Sequence, residues 1–125
     1  MKPGDHASTY GGTPLATSAA LAVLEVMRRD DIPGRARRAA QRLTDELVAI
    51  PGVREVRGLG LLMAVELAAG NAKAVYGRLI ELGMVTNAVT DTALRLAPPL
   101  NVSDAEITEA AALIGQAIRD VDVGL

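Results

Sequence analysis

The sequence predicts an α+β fold in which helices cover one small, largely antiparallel sheet. Helix and strand signals alternate along the chain, in the order two helices, two strands, one helix, two strands and one helix. The length of 125 residues suits a single domain. Half of the residues are hydrophobic and Phe and Trp are absent, so we expect a folded chain with an aliphatic core.

The first helix has a clear start signal. Thr13 is a suitable N-cap and Pro14 suits the first helical turn, so we expect a helix from about Leu15 to Arg29. Its sequence, LATSAALAVLEVM, is apolar or small on nearly all sides, which is typical of a helix buried on most sides. The rest of this chain offers little surface for that purpose, so we expect another segment or subunit to cover the helix.

The second helix is predicted to run from Ile32 to the Pro51-Gly52 pair. Leu43, Leu47 and Ile50 supply its apolar stripe. Arg42 and Glu46 are four residues apart and can form an ion pair on the helix surface. Arg35 and Arg38 are expected on the same solvated side.

Four strands are predicted in two pairs. Residues 53–58 and 61–67 are rich in β-forming side chains, with a tight turn at Leu59-Gly60. The next strand is expected to start at Met84 and, after a turn near Thr90 and Asp91, the last to cover residues 93–97. Pro98 and Pro99 must end that strand.

Two further helices complete the pattern. Asn71 can cap a helix that continues to about Leu82 and ends at Gly83. Ser103 and Glu106 form a capping-box pattern in front of the closing helix. Its predicted buried stripe contains Ile107, Ala111, Ile114 and Ile118.

Charge and composition exclude several classes of function. The formal net charge of −2 gives no reason to expect nucleic acid or an anionic membrane as partner. The chain has no Cys, which removes disulfides and thiolate chemistry and suits a reducing compartment. It also has no apolar run near the length that spans a bilayer. We therefore expect a soluble protein in the cytoplasm, with no nucleic-acid or membrane partner.

The stretch GDHASTYGGTPLA, residues 4–16, is the first candidate site. Gly11 and Gly12 permit a close backbone approach to a ligand, and Ser8 and Thr9 offer hydroxyl groups just before a helix N-terminus. This pattern would suit a phosphate, although an ordinary loop before a capped helix has the same composition. His6 follows Asp5 and could be an oriented base or a residue that stabilises the loop; one His gives no metal cluster.

Arg95 is the second candidate, in the sequence LRLAPPL. If Leu94 and Leu96 face the core, Arg95 points to the other face, where it is either a carboxylate clamp or a surface arginine of an edge strand. The two lysines, Lys2 and Lys73, lie in a terminus and on an exposed helix, so neither is expected to be a catalytic amine.

Three motifs resemble the class III pyridoxal-phosphate aminotransferases. GDHASTYGGTPLATSAALAVLEVM is similar to the G-D-H-x-S-T-[FY]-G-G-N-P-L-A segment of that family, and most similar to acetylornithine aminotransferases. VREVRGLGLLMAVEL resembles the family's strand pair, and LRLAPPLNVSDAEI its last strand and closing helix. The motifs occur in the family's order and cover essentially the whole chain.

The resemblance implies a fold and two sets of contacts. It implies the small C-terminal domain of a fold-type I PLP-dependent transferase. Ser8 and Thr9 match a pair that reaches across a dimer interface, where the threonine helps to hold the phosphate of PLP bound in the partner subunit. Arg95 matches the arginine that binds the α-carboxylate of the amino-acid or 2-oxoacid substrate. Thr13 departs from the family's Asn at its position and remains an acceptable N-cap.

The resemblance also implies three segments with different roles, and it implies that the catalytic lysine lies outside the matching motifs. We expect a cofactor-contacting loop over residues 1–14, a linking helix over 15–31 and the small domain over 32–125. The family's Schiff-base lysine and pyridine-binding aspartate lie upstream of these motifs, so no catalytic residue and no metal ligand is assigned here. We expect a C-terminal part of an acetylornithine/2-oxoglutarate aminotransferase of arginine biosynthesis, inactive alone and completed by a homodimer or by the missing portion. The alternative is a non-enzymatic oligomerisation or regulatory domain with the same fold.

Overall fold

The computed structural model describes residues 8–124. The helices are α1 (Pro14–Arg29), α2 (Ile32–Val48), α3 (Ala72–Glu81) and α4 (Asp104–Asp122). The strands are β1 (Val53–Leu59), β2 (Leu62–Leu67), β3 (Asn87–Ala88) and β4 (Ala93–Leu96). Their order confirms the predicted succession of helices and strands. The chain divides into two compact units, one ending at Ile32 and the other beginning at Pro33.

The first unit contains α1, and its start follows the predicted signal. Thr13 is the N-cap, and its Oγ1 accepts a hydrogen bond of 3.4 Å from the backbone N–H of Ala16. Pro14 occupies the first helical position, where its missing N–H costs nothing. No residue of α1 is buried, and Leu15, Leu21, Val23, Leu24 and Val26 are among its exposed apolar residues. The burial expected for this helix is therefore not provided within the described residues.

The second unit contains one four-stranded sheet in the order β1-β2-β4-β3, and every neighbouring pair is antiparallel. Side chains alternate between the two faces of each strand. One face packs against the apolar sides of α2, α3 and α4. The buried core cluster contains Leu43, Leu47, Met63, Val65, Leu67, Ala72, Val75, Leu79, Leu94, Leu96, Ile107, Ala111, Ile114, Ala117 and Ile118. All four residues predicted for the buried stripe of α4 belong to it.

The β1–β2 hairpin turns one residue later than predicted. Its two turn residues are Gly60 and Leu61, and Leu59 pairs with Leu62 as the last pair of the ladder. Gly60 has a φ of 54°, which glycine adopts without strain. Gly58 faces Met63 so closely that a Cβ at this position would meet the backbone of Leu62 and Met63. Only glycine fits there without displacing the neighbouring strand.

The strand predicted from Met84 was wrong at its start, because β3 begins only at Asn87. The N–H of Met84 donates to the carbonyl of Leu79 at 2.8 Å, and the N–H of Gly83 donates to Ile80 at 3.0 Å. These two bonds close the C-terminus of α3 in a Schellman arrangement. The backbone around Met84 therefore completes the helix instead of extending the sheet.

Asn71 occupies the N-cap position of α3 as predicted, but its side chain forms no capping hydrogen bond. Its Nδ2 instead donates to Asp122 at 3.4 Å, and the Ala72 N–H is satisfied by the carbonyl of Asp91. The expected capping role of the Asn71 side chain is thus replaced by a contact with α4. The Asp91 carbonyl accepts the hydrogen bond that a capping side chain would otherwise accept.

The predicted ion pair on α2 and the predicted capping box at the start of α4 are both present. Arg42 forms an ion pair of 3.0 Å with Glu46 and a second one of 2.7 Å with Asp104, which links α2 to α4. The Ser103 Oγ accepts from the Glu106 N–H at 3.3 Å, and the Ser103 N–H donates to the Glu106 carboxylate at 2.7 Å. These bonds form a complete capping box. They also lower the pKa of Glu106, because the Ser103 backbone and hydroxyl groups donate to the ionised form.

Replacement of the cap should destabilise the second unit. We expect Ser103→Ala to lower the free energy of unfolding by about 1 kcal/mol, because the helix loses a side-chain acceptor for an unpaired N–H. Chemical denaturation followed by circular dichroism measures the effect. Ser103→Asp retains a capping oxygen, so its free energy of unfolding should fall much less. Ser18→Ala, at an exposed position of α1, is the control. Equal losses in the Ala and Asp variants would contradict this explanation.

Candidate functional site

Arg95 lies on β4 with its side chain on the face of the sheet opposite to the core. Its neighbours Leu94 and Leu96 are both buried, as the alternation predicted. The hydroxyl of Thr86 donates to the backbone carbonyl of Arg95 at 2.8 Å and fixes the strand locally. Within residues 8–124, the Arg95 guanidinium has neither an ion pair nor a hydrogen bond. The structure thus presents an exposed arginine, held by its backbone, with its donors available to a ligand.

The register of the sheet places four residues in one row. Arg57 on β1 pairs with Ala64 on β2, Ala64 pairs with Arg95 on β4, and Arg95 pairs with Asn87 on β3. Residues opposite each other in antiparallel strands share a face. The row and its neighbours Leu62 and Glu66, called the open face below, lie opposite to the core. The short Ala64 side chain leaves space between the two arginines.

A cavity of about 350 Å³ borders Arg95 at the β3 side of the sheet. Its lining includes the polar residues Thr86, Asn87 and Glu106 and the core residues Leu43, Leu96 and Ile107. The cavity therefore lies on the helix side of the sheet, next to α2 and α4, and not on the open face. Arg95 borders it from β4, whereas the Arg95 side chain belongs to the open face.

Glu66 is a charged residue on the open face that the sequence interpretation missed. It lies between Val65 and Leu67 on β2, and its side chain is only 8% exposed. The Glu66 Oε1 accepts from Arg57 at 2.5 Å, while Oε2 accepts from the Thr92 hydroxyl at 3.0 Å and from Arg54 at 3.4 Å. The signal in the sequence is the carboxylate at an outward position of an apolar strand, opposite a strand with two arginines.

These contacts fix the charge of Glu66. The Arg57 hydrogen bond is the main cause that lowers the pKa of the Glu66 carboxyl, followed by the Thr92 hydrogen bond, while desolvation acts in the opposite direction. Glu66 is therefore ionised at neutral pH. Its negative charge is paired with Arg57 and Arg54, and not with Arg95.

Ser8 and Thr9 lie in the first unit, and Arg95 lies in the second, so each is described within its own unit. The Ser8 Oγ accepts a hydrogen bond of 2.9 Å from the Gly11 N–H, which shapes the turn. Ser8 and Thr9 are exposed, and the Thr9 hydroxyl has no hydrogen bond within the described residues. Gly12 has a φ of 76°, which explains the glycine at this bend. His6 and Asp5 lie outside the described residues.

Other candidate chemistry is limited in the part of the chain that the structure describes. Lys73 is exposed on α3, and Lys2 lies outside residues 8–124. Within that range, no three His, Cys, Asp or Glu side chains are grouped so that they could hold a metal ion. No described helix has the length and apolar character needed to cross a membrane.

The chain matches the family model described as aminotransferase class-III over residues 1–118. It therefore belongs to the class III aminotransferases, which are PLP-dependent enzymes. It is 39% identical over 120 residues to the mitochondrial ornithine aminotransferase of Oryza sativa subsp. japonica, covering 88% of this chain and 25% of that protein. It is 38% identical over 121 residues to the acetylornithine aminotransferase of Bifidobacterium longum, covering 95% of this chain and 28% of that protein.

Solved structures show the same fold. The acetylornithine aminotransferase from Elizabethkingia anophelis superimposes with a TM-score of 0.78 at 30% identity, over 96% of this chain and 33% of that one. The ornithine δ-aminotransferase of Plasmodium falciparum gives a TM-score of 0.76 at 34% identity, over 100% of this chain and 33% of that one. The chain thus spans about a quarter to a third of the length of these relatives. Its architecture confirms the predicted α+β small domain.

The depressed pKa of Glu66 has a consequence for stability. A carboxyl whose pKa is lower in the folded state stabilises the fold above its unfolded pKa, and this contribution is lost as the pH falls through the folded pKa. We expect the melting temperature of the native chain to fall more steeply on acidification below the ordinary glutamate pKa of 4.5 than that of Glu66→Gln. Thermal melts across this pH range measure the difference. Glu109→Gln, at an exposed position of α4, is the control, and parallel curves for the native chain and Glu66→Gln would contradict the expectation.

Proposed function

We propose that this chain is the C-terminal, carboxylate-binding part of a PLP-dependent aminotransferase that transfers the amino group of N-acetylornithine or ornithine to 2-oxoglutarate. The observation that carries the proposal is Arg95, an exposed arginine on the open face of the sheet that has no partner among the described residues. The names of the relatives support both amino donors. In this proposal residues 1–14 form the loop that contacts the cofactor. Residues 15–31 form a helix that leads into the small domain, and residues 32–125 form the small domain itself.

Arg95 binds and orients the substrate in this mechanism. A guanidinium offers two parallel N–H donors that match the two oxygens of a carboxylate, so it fixes both the position and the rotation of the substrate. Hydrogen bonds of this kind, with both partners charged, are about twice as strong as neutral ones. The Thr86 contact and the following Pro98 restrain the strand that carries Arg95. The amino or oxo carbon next to the bound carboxylate is thereby held at one place.

The opening turn fits one side of a phosphate site. The Ser8 oxygen already accepts from Gly11, so its own proton remains available to donate, and the Thr9 hydroxyl has no described partner. Two hydroxyl donors near a helix N-terminus suit phosphate oxygens. PLP, when bound, supplies an electron sink for the bond changes at the amino carbon. Ser8 and Thr9 would contact its phosphate in the partner subunit of a homodimer.

This chain by itself is proposed to be inactive. Transamination in this family requires a lysine that holds the cofactor and moves a proton. Lys73 is exposed on α3, away from the low-polarity surroundings that activate a catalytic amine. The relatives are three to four times longer than this chain, which supports a role for it as one portion of a larger enzyme.

A second candidate function rests on α1. Its apolar residues are uncovered within the described chain, which favours a non-enzymatic oligomerisation or regulatory domain that keeps the aminotransferase fold. Size-exclusion chromatography with light scattering tests this candidate. A stable, well-folded monomer would count against this candidate and against the need to cover α1.

Substitution of Arg95 tests the substrate contact. In the enzyme that contains this chain, we expect Arg95→Gln to raise KM for the carboxylate substrates by roughly 10- to 100-fold, because a charged hydrogen-bond pair is lost. The change in kcat should be smaller. Arg95→Lys keeps the charge but not the paired donors, so its KM should lie between those of the native enzyme and Arg95→Gln. Steady-state kinetics measure these values, and an unchanged KM in Arg95→Gln would remove the proposed role.

Substitution of Thr9 tests the cofactor contact. We expect Thr9→Val to raise the PLP concentration for half-saturation of the dimeric enzyme by about 3- to 10-fold, since one hydrogen bond to the phosphate is lost. Fluorescence titration of the apo-enzyme with PLP gives this value. Thr9→Ser retains the hydroxyl and should bind nearly as the native enzyme does, and Ser18→Ala is a control on the same unit. Equal affinity in Thr9→Val and the native enzyme would rule out the contact.

The isolated chain tests the predicted absence of a catalytic amine. After incubation with an equimolar amount of PLP and reduction with borohydride, we expect only the partial, unselective labelling that any exposed amine undergoes, and no stoichiometric labelling of one lysine. Mass spectrometry after proteolysis covers Lys2 and Lys73 separately. Stoichiometric, specific labelling of either lysine would show that the chain has its own cofactor-binding amine.

A further inference from the structure

Glu66 stands in an equivalent position relative to two arginines. Ala64 pairs with Arg57 on one side of β2 and with Arg95 on the other side. Glu66 lies two residues further along β2 on the same face, so it is the diagonal neighbour of both arginines. Diagonal neighbours on one face are about 7–8 Å apart between their Cα atoms, which long charged side chains can bridge. The backbone geometry alone would thus allow Glu66 to pair with Arg95.

In the structure, Glu66 forms its hydrogen bonds with residues other than Arg95. One of its oxygens accepts from Arg57, and the other accepts from Thr92 and Arg54. Both carboxylate oxygens are occupied on the β1 side and in the loop before β4. Among the residues opposite or diagonal to Arg95 on β2, namely Leu62, Ala64 and Glu66, only Glu66 is acidic. Its engagement elsewhere is what leaves Arg95 without a counter-ion on that strand.

We propose that Arg57, supported by Arg54 and Thr92, sequesters Glu66 so that Arg95 remains available for the carboxylate of the substrate. Arg57 is then a positioning residue that acts through Glu66 and does not touch the substrate. This inference rests on the proposed role of Arg95. It assigns a functional reason, in addition to a stabilising one, to the ion pair between Arg57 and the largely buried Glu66.

Removal of Arg57 changes the balance of this network. The largely buried Glu66 carboxylate would keep the Thr92 hydroxyl and the longer 3.4 Å contact with Arg54. A largely buried charge that has lost its main partner is costly, so other donors on the same face gain from pairing with it. Besides Arg54, Arg95 is such a donor, since it is diagonal to Glu66 and has no described partner of its own. An Arg95–Glu66 pair would then compete with the substrate carboxylate.

The first experiment examines this pairing without any ligand, in the 125-residue chain. The Arg95 side-chain Nε–H signal is assigned in the 15N-NMR spectrum by its loss in Arg95→Gln. We expect Arg57→Met, which removes the donors but keeps an apolar stem, to shift this signal and slow its exchange with water at least 3-fold. The double variant Arg57→Met/Glu66→Gln should return it to the native position. An unchanged signal in Arg57→Met would overturn the inference.

The second experiment measures the consequence in the enzyme that contains this chain. We expect Arg57→Met to raise KM for the carboxylate substrate about 3- to 10-fold with little change in kcat, and Arg57→Met/Glu66→Gln to restore KM to within about 2-fold. Arg119→Gln, an exposed arginine of α4, is the matched control. A purely structural role of Arg57, or direct substrate contact by it, would leave the double variant unrestored and would refute sequestration. Failure of the proposed function is separate, because it would show as an unchanged KM in Arg95→Gln.

Discussion

The antiparallel register of β2 between β1 and β4 is the constraint on which the second unit depends. Met63, Val65 and Leu67 of this strand enter the core, and the residues between them must therefore face the other way. A shift of the register by one residue would bury Glu66 among aliphatic side chains and expose the core residues. Gly58 permits the close approach of β1, because no side chain would fit against the backbone at Leu62 and Met63. The position of every group on the open face follows from this register.

The open face carries charged side chains of both signs in an ordered arrangement. Arg57 and Arg54 share the carboxylate of Glu66, whereas Arg95 remains without a partner among the described residues. Besides its contribution to stability, this arrangement determines which of the arginines is paired with a carboxylate. In the proposed enzyme, the arginine that remains charged and accessible is the one that binds the substrate. The contacts of Glu66 with Arg57 and Arg54 thus stabilise the sheet and, in the proposed enzyme, also leave Arg95 available to the substrate.

The first unit presents a different situation. The capped turn and α1 are regular and well supported locally by Thr13 and Ser8, yet α1 has no buried residue. A helix of this composition gains its stability from burial of its apolar surface. The family relationship, in which this chain spans about a quarter to a third of its relatives, gives a plain reason for such a surface. The remaining portion of an aminotransferase is the proposed source of the cover.

The sequence by itself determined the elements that depend on local chemistry. Thr13 and Pro14 start α1, Ser103 and Glu106 start α4, and the alternation of Leu94, Arg95 and Leu96 places the arginine outward. Its motifs also indicated the family, which the family model and the relatives confirm. The assignments of Ser8, Thr9 and Arg95 to cofactor and substrate stay predictions.

Only the tertiary structure decided the features that depend on partners far apart in the chain. The Asn71 side chain reaches Asp122 instead of its own helix, because a carbonyl of a distant loop already satisfies that helix end. Glu66 meets Arg57 and Thr92, residues 9 and 26 positions away, because the sheet register brings three segments together. Local propensity carries no information about such pairings, since they arise from the packing of strands and not from the preferences of single residues.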